Sequence, residues 1–231
     1  MDIQQKVNWS IRPLKTPAII RHCSKCNRKM AYYCSEKFRA NANQSRVDIW
    51  LIYKCVKCDN TCKLSIYKGI RPHELAAGLF DKFVNNDAAL AWEYAFDRNF
   101  LKQHECVVDY SAVEYEVNTN VDIIQLSGSS INGATCSTYN PALPVDIHVS
   151  SHFSFELKLV ALLARMLDMS IGQIKRLADM GKISTSPEVN LARYRIKSDH
   201  SIVVAIASHT IEPLTVSQFS HAVDPVSATR L

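Results

Sequence analysis

The sequence lacks a long apolar run and has little glycine or proline. Six glycines and eight prolines among 231 residues, with 47% apolar residues, indicate a folded chain rather than a low-complexity one. The longest apolar stretches have the length of a strand and fall far short of the ~20 residues that cross a bilayer. The first residues, MDIQQKVNWSIRPLK, also lack the apolar core of a secretory signal. These absences predict a cytoplasmic protein, in which paired cysteines favour metal binding over disulfides.

Motifs of common enzyme sites are missing as well. The glycine-rich nucleotide loops, the G-x-S-x-G nucleophile turn and the H-E-x-x-H zinc motif do not occur. His73, His104 and Glu105 lack the clustered spacing of acid–base groups. Glu114 and Glu116 alternate onto one solvated strand face. We therefore predict that the protein is not an enzyme.

Charge of both signs is present, but it is unevenly distributed. Residues 1–72 contain 15 Lys and Arg against 4 Asp and Glu, whereas residues 73–150 contain 3 against 11. Residues 151–231 contain 9 against 7. The basic N-terminal segment predicts a polyanionic partner. The alternative is that the acidic middle docks on this segment and neutralises it, because sequence charge does not reveal which surfaces face solvent.

Cysteines form two close pairs within the basic segment. Eight cysteines occur, and the pairs Cys23/Cys26 and Cys55/Cys58 each enclose two residues, the spacing at which a tight turn aims two thiolates at one ion. Two such turns complete a tetrahedral four-cysteine site, for which Zn²⁺ is the preferred metal. We predict one structural Zn²⁺ bound by these four cysteines. A closed site of this kind leaves no position for water or substrate.

The residues around the pairs bear on this prediction. Asn27 and Asp59 follow the pairs, and they are the non-glycine types that most readily adopt the positive φ needed where the chain curls back. A redox function is an alternative, but a redox pair opens a helix after a strand, and neither pair does. Two further thiols, Cys34 and Cys62, are either replacement ligands or buried free thiols.

Strand patterns surround the two cysteine pairs. After an Asn-rich turn, an alternating run places Val47, Ile49, Leu51 and Tyr53 on one face, and the residues CKLSIYK alternate again after the second pair. Pair, strand, strand, pair, strand is the order of a zinc ribbon, so we predict a ribbon of three short strands in residues 1–70. A β unit of this size lacks a sufficient core and depends on its metal, whose binding contributes on the order of 10 kcal/mol.

A family resemblance lies in the same region. The chain resembles the bacterial family known as domain of unknown function 1062 in the stretch FRANANQSRVDIWLIYKCVKCDNT. Members of that family carry a CxxC pair, an F-R-x-N-A stretch, a D-x-W-L-I-Y strand and a second CxxC pair. The resemblance is specific over residues 17–68 and looser afterwards. It implies the order of these segments and brings no established activity.

The acidic middle, residues 71–150, shows helical spacing. We predict one helix in RPHELAAGLFDKFVNND and a second in DAALAWEYAFDRNFLKQHE, with Asn86 and Asp87 as the break and the N-cap between them. A strand pattern follows in CVVDYSAVEYEV. Residues 118–145 are rich in Asn, Ser, Thr and Gly, so they predict a connector made of turns.

The C-terminal segment, residues 151–231, combines two helical patterns with two strand patterns. Ser170 and Gln173 form a capping box that opens the second helix, and Gly181 lies where a glycine ends it. Predicted strands follow in LARYRIK and in SIVVAI, before a C-terminal tail. We predict that six cations line one side of this segment as RNA-binding residues: Lys175, Arg176, Lys182, Arg193, Arg195 and Lys197.

This arrangement resembles the alpha-L RNA-binding motif, first described in a small-subunit ribosomal protein and shared by pseudouridine synthases and tyrosyl-tRNA synthetases. The resemblance covers residues 155–206, where SDHSIVV matches a G-D-x-I-x-V strand, and it implies contacts to RNA phosphates. The chain departs from the motif at Ile171, where a basic residue is usual, and at S-T-S-P, which replaces the V-N-G exit. The alternative is a small α+β domain with a solvated basic face.

Together these patterns predict an α+β fold, with a zinc ribbon in residues 1–70, a helical acidic middle in 71–150 and an alpha-L-like unit in 151–231. The predicted function is non-catalytic binding of structured RNA, ribosomal or transfer RNA, with Trp50 or Tyr67 stacking on bases. The alternative is a protein–protein interaction module with a structural zinc ribbon and no nucleic acid. A thiol- or metal-dependent enzyme is a third hypothesis. Neither the partner RNA nor the oligomeric state follows from the sequence.

Overall fold

Strands supply most of the regular secondary structure. The computed structural model describes residues 5–43, 45–119, 143–198 and 200–210. The elements in chain order are β1 (Gln5–Pro13), β2 (Ala18–Cys23), β3 (Arg28–Asn43), β4 (Arg46–Cys55), β5 (Thr61–Ile70), a 3-10 turn (Pro72–Glu74), α1 (Leu79–Val84), α2 (Ala88–Phe96), α3 (Arg98–Gln103), β6 (Val107–Asp109), β7 (Tyr115–Thr119), β8 (Val145–Ser151), α4 (Leu159–Met166), α5 (Ile171–Asp179), β9 (Ile183–Ser186) and β10 (Ile202–Ile206). None of the described helices is both long and apolar enough to cross a membrane.

The strands form two five-stranded sheets, with the orders β5-β4-β3-β2-β6 and β7-β1-β8-β10-β9. The chain divides into two compact units. The cysteine unit consists of residues 12–116 and 152–156 and contains both cysteine pairs. The parallel-strand unit consists of the described residues within 1–11, 117–151 and 157–231.

The predicted α+β fold, with its ribbon of three short strands, helical middle and small alpha-L-like unit, is wrong. The chain is β-rich, and the strands around the cysteine pairs are 16, 10 and 10 residues long in β3, β4 and β5. The helices of the middle are short, with 6, 9 and 6 residues. The second predicted helix is two helices, because the Asp97 side chain accepts hydrogen bonds from the backbone N–H groups of Asn99 and Phe100 and so starts α3 afresh. The predicted N-cap at Asp87 is confirmed, since its carboxylate accepts from the Leu90 N–H.

In the cysteine unit, strands β2 to β5 run antiparallel in sequence order. The inner face of this sheet is the face covered by α1, α2 and α3. Its alternate side chains and those helices form one buried apolar core, which includes Ile19, Tyr32, Leu51, Leu64, Phe83 and Leu101. The predicted inward face of β4 is confirmed, because Val47, Ile49, Leu51 and Tyr53 are all buried. Since a strand alternates its side chains, the residues between them lie on the opposite side, the outer face.

A bulge interrupts the pairing of β3 with β4. The register passes from Cys34↔Tyr53 to Lys37↔Ile52, so two residues of β3, Ser35 and Glu36, have no cross-strand partner on β4. Glu36, one of the two, has a φ of 57°. Its carboxylate accepts a 2.7 Å hydrogen bond from the indole N–H of Trp92 on α2. The bulge therefore places the Glu36 carboxylate on the inner, helix-covered face.

The parallel-strand unit has β1 and β8 at its centre. They pair in parallel from Gln5↔Val145 to Ile11↔Ser151. Strand β10 pairs antiparallel with both β8 and β9. Neither β1 nor β8 was predicted, because the two strands pair with each other across about 140 residues of sequence, and such distant pairing leaves no local signal.

The predicted start and end of the second C-terminal helix are confirmed, but one of the two predicted C-terminal strands is absent. The Ser170–Gln173 capping box is present, and Gly181 has a φ of +70°, as predicted. The predicted strand in LARYRIK is wrong: residues 191–193 form a turn, and only a single bridge joins Lys158 to Arg195. The segment instead exchanges backbone hydrogen bonds with residues just before α4: the Leu159 N–H donates to the Tyr194 carbonyl and the Ile196 N–H donates to the Leu157 carbonyl.

Candidate metal centre

The two cysteine pairs occupy turns at the same end of one sheet. Cys23 ends β2 and Cys55 ends β4, so each pair begins where a strand turns back. Antiparallel pairing places Tyr32, near the start of β3, opposite Cys55. The two turns therefore meet, although 28 residues separate them in the sequence.

The four sulfur atoms form one cluster. Every pair of Sγ atoms among Cys23, Cys26, Cys55 and Cys58 lies within 4.8 Å. The Cys23–Cys58 and Cys26–Cys55 separations are 3.5 and 4.0 Å. A tetrahedral site with metal–sulfur bonds of about 2.3 Å has sulfur–sulfur separations of about 3.8 Å. The four cysteines are thus close enough to hold a metal ion.

The turn backbones have the curvature that the sequence predicts. Asn27 and Asp59 have φ values of 50° and 54°, which confirms the expected positive φ after each pair. In the second turn, the Asp59 N–H donates to the Cys55 carbonyl at 3.0 Å, and the Cys55 N–H donates to the Asn60 carbonyl at 3.0 Å. The Asn60 side-chain amide also donates to the Ser24 hydroxyl at 3.3 Å and so links the two turns.

The thiols of the cluster differ in pKa. A hydrogen bond from the Tyr32 hydroxyl lowers the pKa of Cys23 to about 6. Hydrogen bonding with Cys58, together with burial and the neighbouring Cys23, raises the pKa of Cys26 to about 12. The Cys23 thiol therefore ionises more readily than the Cys26 thiol, because its thiolate is hydrogen-bonded by Tyr32 whereas hydrogen bonding with Cys58 and burial favour the protonated form of Cys26. A bound cation removes that difference, since it stabilises all four thiolates together.

The two alternative ligands lie outside the cluster. The Cys62 sulfur accepts a hydrogen bond from the Arg21 guanidinium at 3.7 Å. Cys34 is buried on the inner face, and burial raises the pKa of its thiol to about 12. The only four-cysteine group among the described residues is the predicted one. Cys136 lies outside the described residues.

The outer face of the same sheet carries cations and aromatic rings. The helices of the cysteine unit pack on the inner face, so the outer face is defined here by Tyr33, Trp50, Ile52 and five cations: Lys29, Lys37, Arg39, Lys54 and Lys63. All of these cations are exposed except Lys54, which is half-buried. No salt bridge within the described residues involves any of them.

The acidic groups near this face are already engaged. Asp48 accepts a hydrogen bond from the Gly69 N–H at 2.7 Å, and Asp59 accepts one from the Tyr33 hydroxyl at 3.0 Å. Among the described residues, the acidic middle pairs with the basic segment only through Arg12–Glu116 and Lys15–Glu114. Within the part of the chain that the structure describes, these pairs do not involve the outer-face cations.

The six predicted RNA-binding cations lie in the parallel-strand unit. Lys175 and Arg176 are exposed on α5, and Lys182 is exposed just before β9. Arg193, Arg195 and Lys197 are exposed too, but they do not share a strand face, because their segment is not a strand. Their assignment to RNA binding stays a prediction.

The two predicted stacking residues have different positions. Trp50 lies on the outer face, whereas the Tyr67 ring packs edge-on against Phe83 at 6.0 Å on the inner face. Sequence reasoning missed the outer-face cations of β3 and β5 as a group. The signal was present in the alternation of β4, which places Trp50, Ile52 and Lys54 opposite the buried residues.

His104 and Glu114, which could act as acid–base groups or ligands, are instead held in hydrogen bonds that stabilise the fold. His104 shares a 2.8 Å hydrogen bond with the Ser65 carbonyl, and the Glu114 carboxylate accepts from Lys15 at 2.6 Å. Neither belongs to a cluster of metal-ligating groups among the described residues. They give no support to a second site.

Comparison with known proteins supports one assignment. No curated protein and no solved structure matches the chain. A family model described as "Protein of unknown function (DUF1062)" matches residues 40–189, which include Cys55, Cys58 and the whole of strands β4 and β5. The match spans more than half of the 231 residues. The chain therefore belongs to this family of unknown function, as its F-R-x-N-A and D-x-W-L-I-Y stretches predict.

Proposed function

We propose that the protein is a non-catalytic zinc protein that binds RNA through the outer face of the cysteine unit. The observation that carries the proposal is a set of five cations on one sheet face that form no salt bridge among the described residues. Unpaired cations beside aromatic rings are suited to a ligand that offers both phosphates and bases.

Zinc is the metal that suits the cysteine cluster. Four thiolates in a tetrahedral arrangement favour Zn²⁺ or iron, and a single ion held by two CxxC turns is the usual structural zinc site. The site holds both turns at the end of the sheet, so it fixes the end of strand β4, which carries Trp50 and Lys54. Four protein ligands leave no open coordination position, which is why the proposal assigns no catalytic role to the metal.

RNA suits the outer face because it offers both negative charge for the cations and bases for the aromatic rings. Each Lys or Arg that contacts a phosphate releases counterions, so several such contacts give affinity without a deep pocket. The carboxylates nearest to this face, Asp48 and Asp59, accept hydrogen bonds from Gly69 and Tyr33 and form no ion pair with its cations among the described residues. An acidic protein surface has charge but no bases, so it does not use the rings.

The test compares two double variants that remove the same charge. Lys37→Gln with Lys63→Gln changes the outer face, and Lys82→Gln with Lys102→Gln changes exposed lysines on α1 and α3. Binding of a labelled RNA is measured by fluorescence anisotropy over a range of salt concentrations. The outer-face variant is expected to weaken binding and to flatten the salt slope by about 1.4 to 1.8, because each lost contact removes about 0.7 to 0.9.

The control variant is expected to keep the affinity and the salt slope. Equal losses in both variants would mean that binding follows net charge alone, and the assignment to the outer face would be wrong. Tight binding of an acidic peptide, with no binding of RNA at low salt, would instead establish the protein-interaction function.

A further inference from the structure

We infer that the outer face takes single-stranded RNA, with a base stacked on Trp50 and the flanking phosphates on the cations beside it. The inference rests on the proposed function and names the form of RNA that this site accepts. It follows from the width of the sheet, the spacing of the rings and the position of the cations next to them.

The sheet is too wide to read a duplex through its grooves. Four neighbouring strands, β2 to β5, about 4.8 Å apart, span about 14 Å between the outermost strands. A B-form major groove is about 12 Å wide and admits one helix or a two-stranded ribbon, while the A-form major groove is deeper and narrower. Side chains on this face therefore do not reach the bases of an RNA duplex through its major groove, and a base can stack on an aromatic ring only where it is unpaired.

The Trp50 ring has a small neighbour on one side and a cation on the other. The cross-strand partners of Trp50 are Ser65 on β5 and Arg39 on β3. The Lys63 ammonium lies 5.7 Å from the Trp50 ring centroid. A base that stacks on this indole thus has two positive charges within reach of its phosphates, which is the combination that single-strand binding sites use.

A second ring repeats the arrangement. Tyr33 is 41% exposed and lies opposite Lys54. Lys54 is four residues from Trp50 on β4, so the two rings are about 14 Å apart along the strands. Stacked nucleotides advance about 3.4 Å each along one strand, and about four of them cover that distance. One short single-stranded segment can contact both rings.

The bulge in β3 keeps the Glu36 carboxylate off this path. Glu36 is the only acidic residue of β3, and it points to Trp92 on the helix-covered side. The β3 side chains on the outer face before and after it are Tyr33, Lys37 and Arg39. Between the two rings the path therefore runs past Ile52 and its cross-strand partners Lys37 and Lys63.

The experiment compares one RNA in two forms. The probe is a labelled 12-nucleotide uridine oligomer, alone or annealed to its adenosine complement, and anisotropy measures both with the zinc-loaded full chain. We expect the single strand to bind at least about 10-fold tighter than the duplex. Trp50→Leu is expected to lose about 5-fold or more for the single strand, because it removes one stacked base, whereas Trp50→Phe keeps most of the affinity.

The outcomes separate this inference from the function on which it rests. If neither form binds the unmodified protein at low salt, the proposed RNA function fails and the inference fails with it. If both forms bind equally and Trp50→Leu changes neither, while the lysine double variant still weakens binding, the RNA function stands and the inference is overturned.

A second measurement covers the case in which Trp50→Leu disturbs folding. Ultraviolet crosslinking of a 4-thiouridine oligomer to the unmodified protein is followed by peptide mapping. Crosslinks in the peptides that contain Tyr33 or Trp50 support the inference. Crosslinks confined to other peptides overturn it.

Discussion

The hydroxyl of Tyr33 donates a 3.0 Å hydrogen bond to the carboxylate of Asp59. Tyr33 is a ring of the outer face, and Asp59 is the positive-φ residue that follows the last cysteine of the cluster. The contact raises the pKa of Tyr33, because the carboxylate accepts from its protonated form. The cysteine turn and the outer face are thus joined by a side-chain contact as well as by strand β4.

The cysteine cluster predicts the metal content. Purified protein is expected to carry about one Zn²⁺ per chain by elemental analysis. Cys55→Ser should lose the metal and much of the fold, because structural zinc contributes on the order of 10 kcal/mol. Cys62→Ser is the matched control and should retain the metal, since the Cys62 sulfur faces Arg21. Loss of zinc in Cys62→Ser with retention in Cys55→Ser would show that the ligand set is different.

The Tyr33–Asp59 contact predicts a small and local effect of Tyr33→Phe. The variant keeps the ring and removes one exposed hydrogen bond, so the free energy of unfolding should fall only slightly. Zinc content should stay at its original value, because no ligand changes. Chemical denaturation and elemental analysis measure the two quantities. A large loss of zinc would mean that the contact is required to form the metal centre.

Adjacent residues of β4 predict the difference between the two sheet faces. Leu51 is fully buried on the inner face, whereas Ile52 is half-buried on the outer face. Leu51→Ala is expected to cost about 2 to 5 kcal/mol, because it leaves a cavity in the core. Ile52→Ala should cost less than half as much. Urea unfolding of both variants decides the point, and equal losses would show that the outer face is packed against other groups.

The pKa of Cys34 predicts slow alkylation. The thiolate is the reactive form, and a pKa of about 12 in place of 9.0 leaves about one thiol in 10,000 ionised at pH 8 rather than about one in ten. Iodoacetamide should therefore modify Cys34 about 1,000-fold more slowly than an unfolded cysteine, as measured by peptide mass spectrometry. The protection should persist until the pH approaches 12 or the protein unfolds. Rapid labelling at pH 8 in folded protein would contradict the buried position.

Local patterns predicted the candidate site better than the fold. The two CxxC pairs and the following Asn27 and Asp59 are signals within five residues, and the structure reproduces their turns. The inner face of β4 was likewise readable from its alternation. The central pair of β1 and β8 was not, because each strand finds its partner far along the chain. Such pairing depends on tertiary contacts that leave no periodic mark in either segment.

Three features were predicted wrongly or missed, because contacts outside the local sequence pattern determine them. The stretch around Asp97 keeps helical spacing on both sides, so periodicity alone reads one helix where the side chain of Asp97 caps a new one. The LARYRIK segment alternates like a strand, but its backbone groups are taken up by the chain just before α4, at Leu157, Lys158 and Leu159. The outer-face cations were missed for a third reason. They come from three strands, and only the register shows that they are neighbours.

The bulge of β3 is a point where the strand can change in length. Its two extra residues lie between Cys34, which is on the core side, and Lys37, which is on the outer face. Deleting one of them would leave one extra residue, which an antiparallel pair accommodates as an ordinary bulge without exchanging the two faces. Deleting both, Ser35 together with Glu36, gives up the contact to Trp92 and the 2.8 Å hydrogen bond from the Ser35 hydroxyl to the Ile52 carbonyl. Changes in length within the bulge therefore leave the cations of β3 on the outer face.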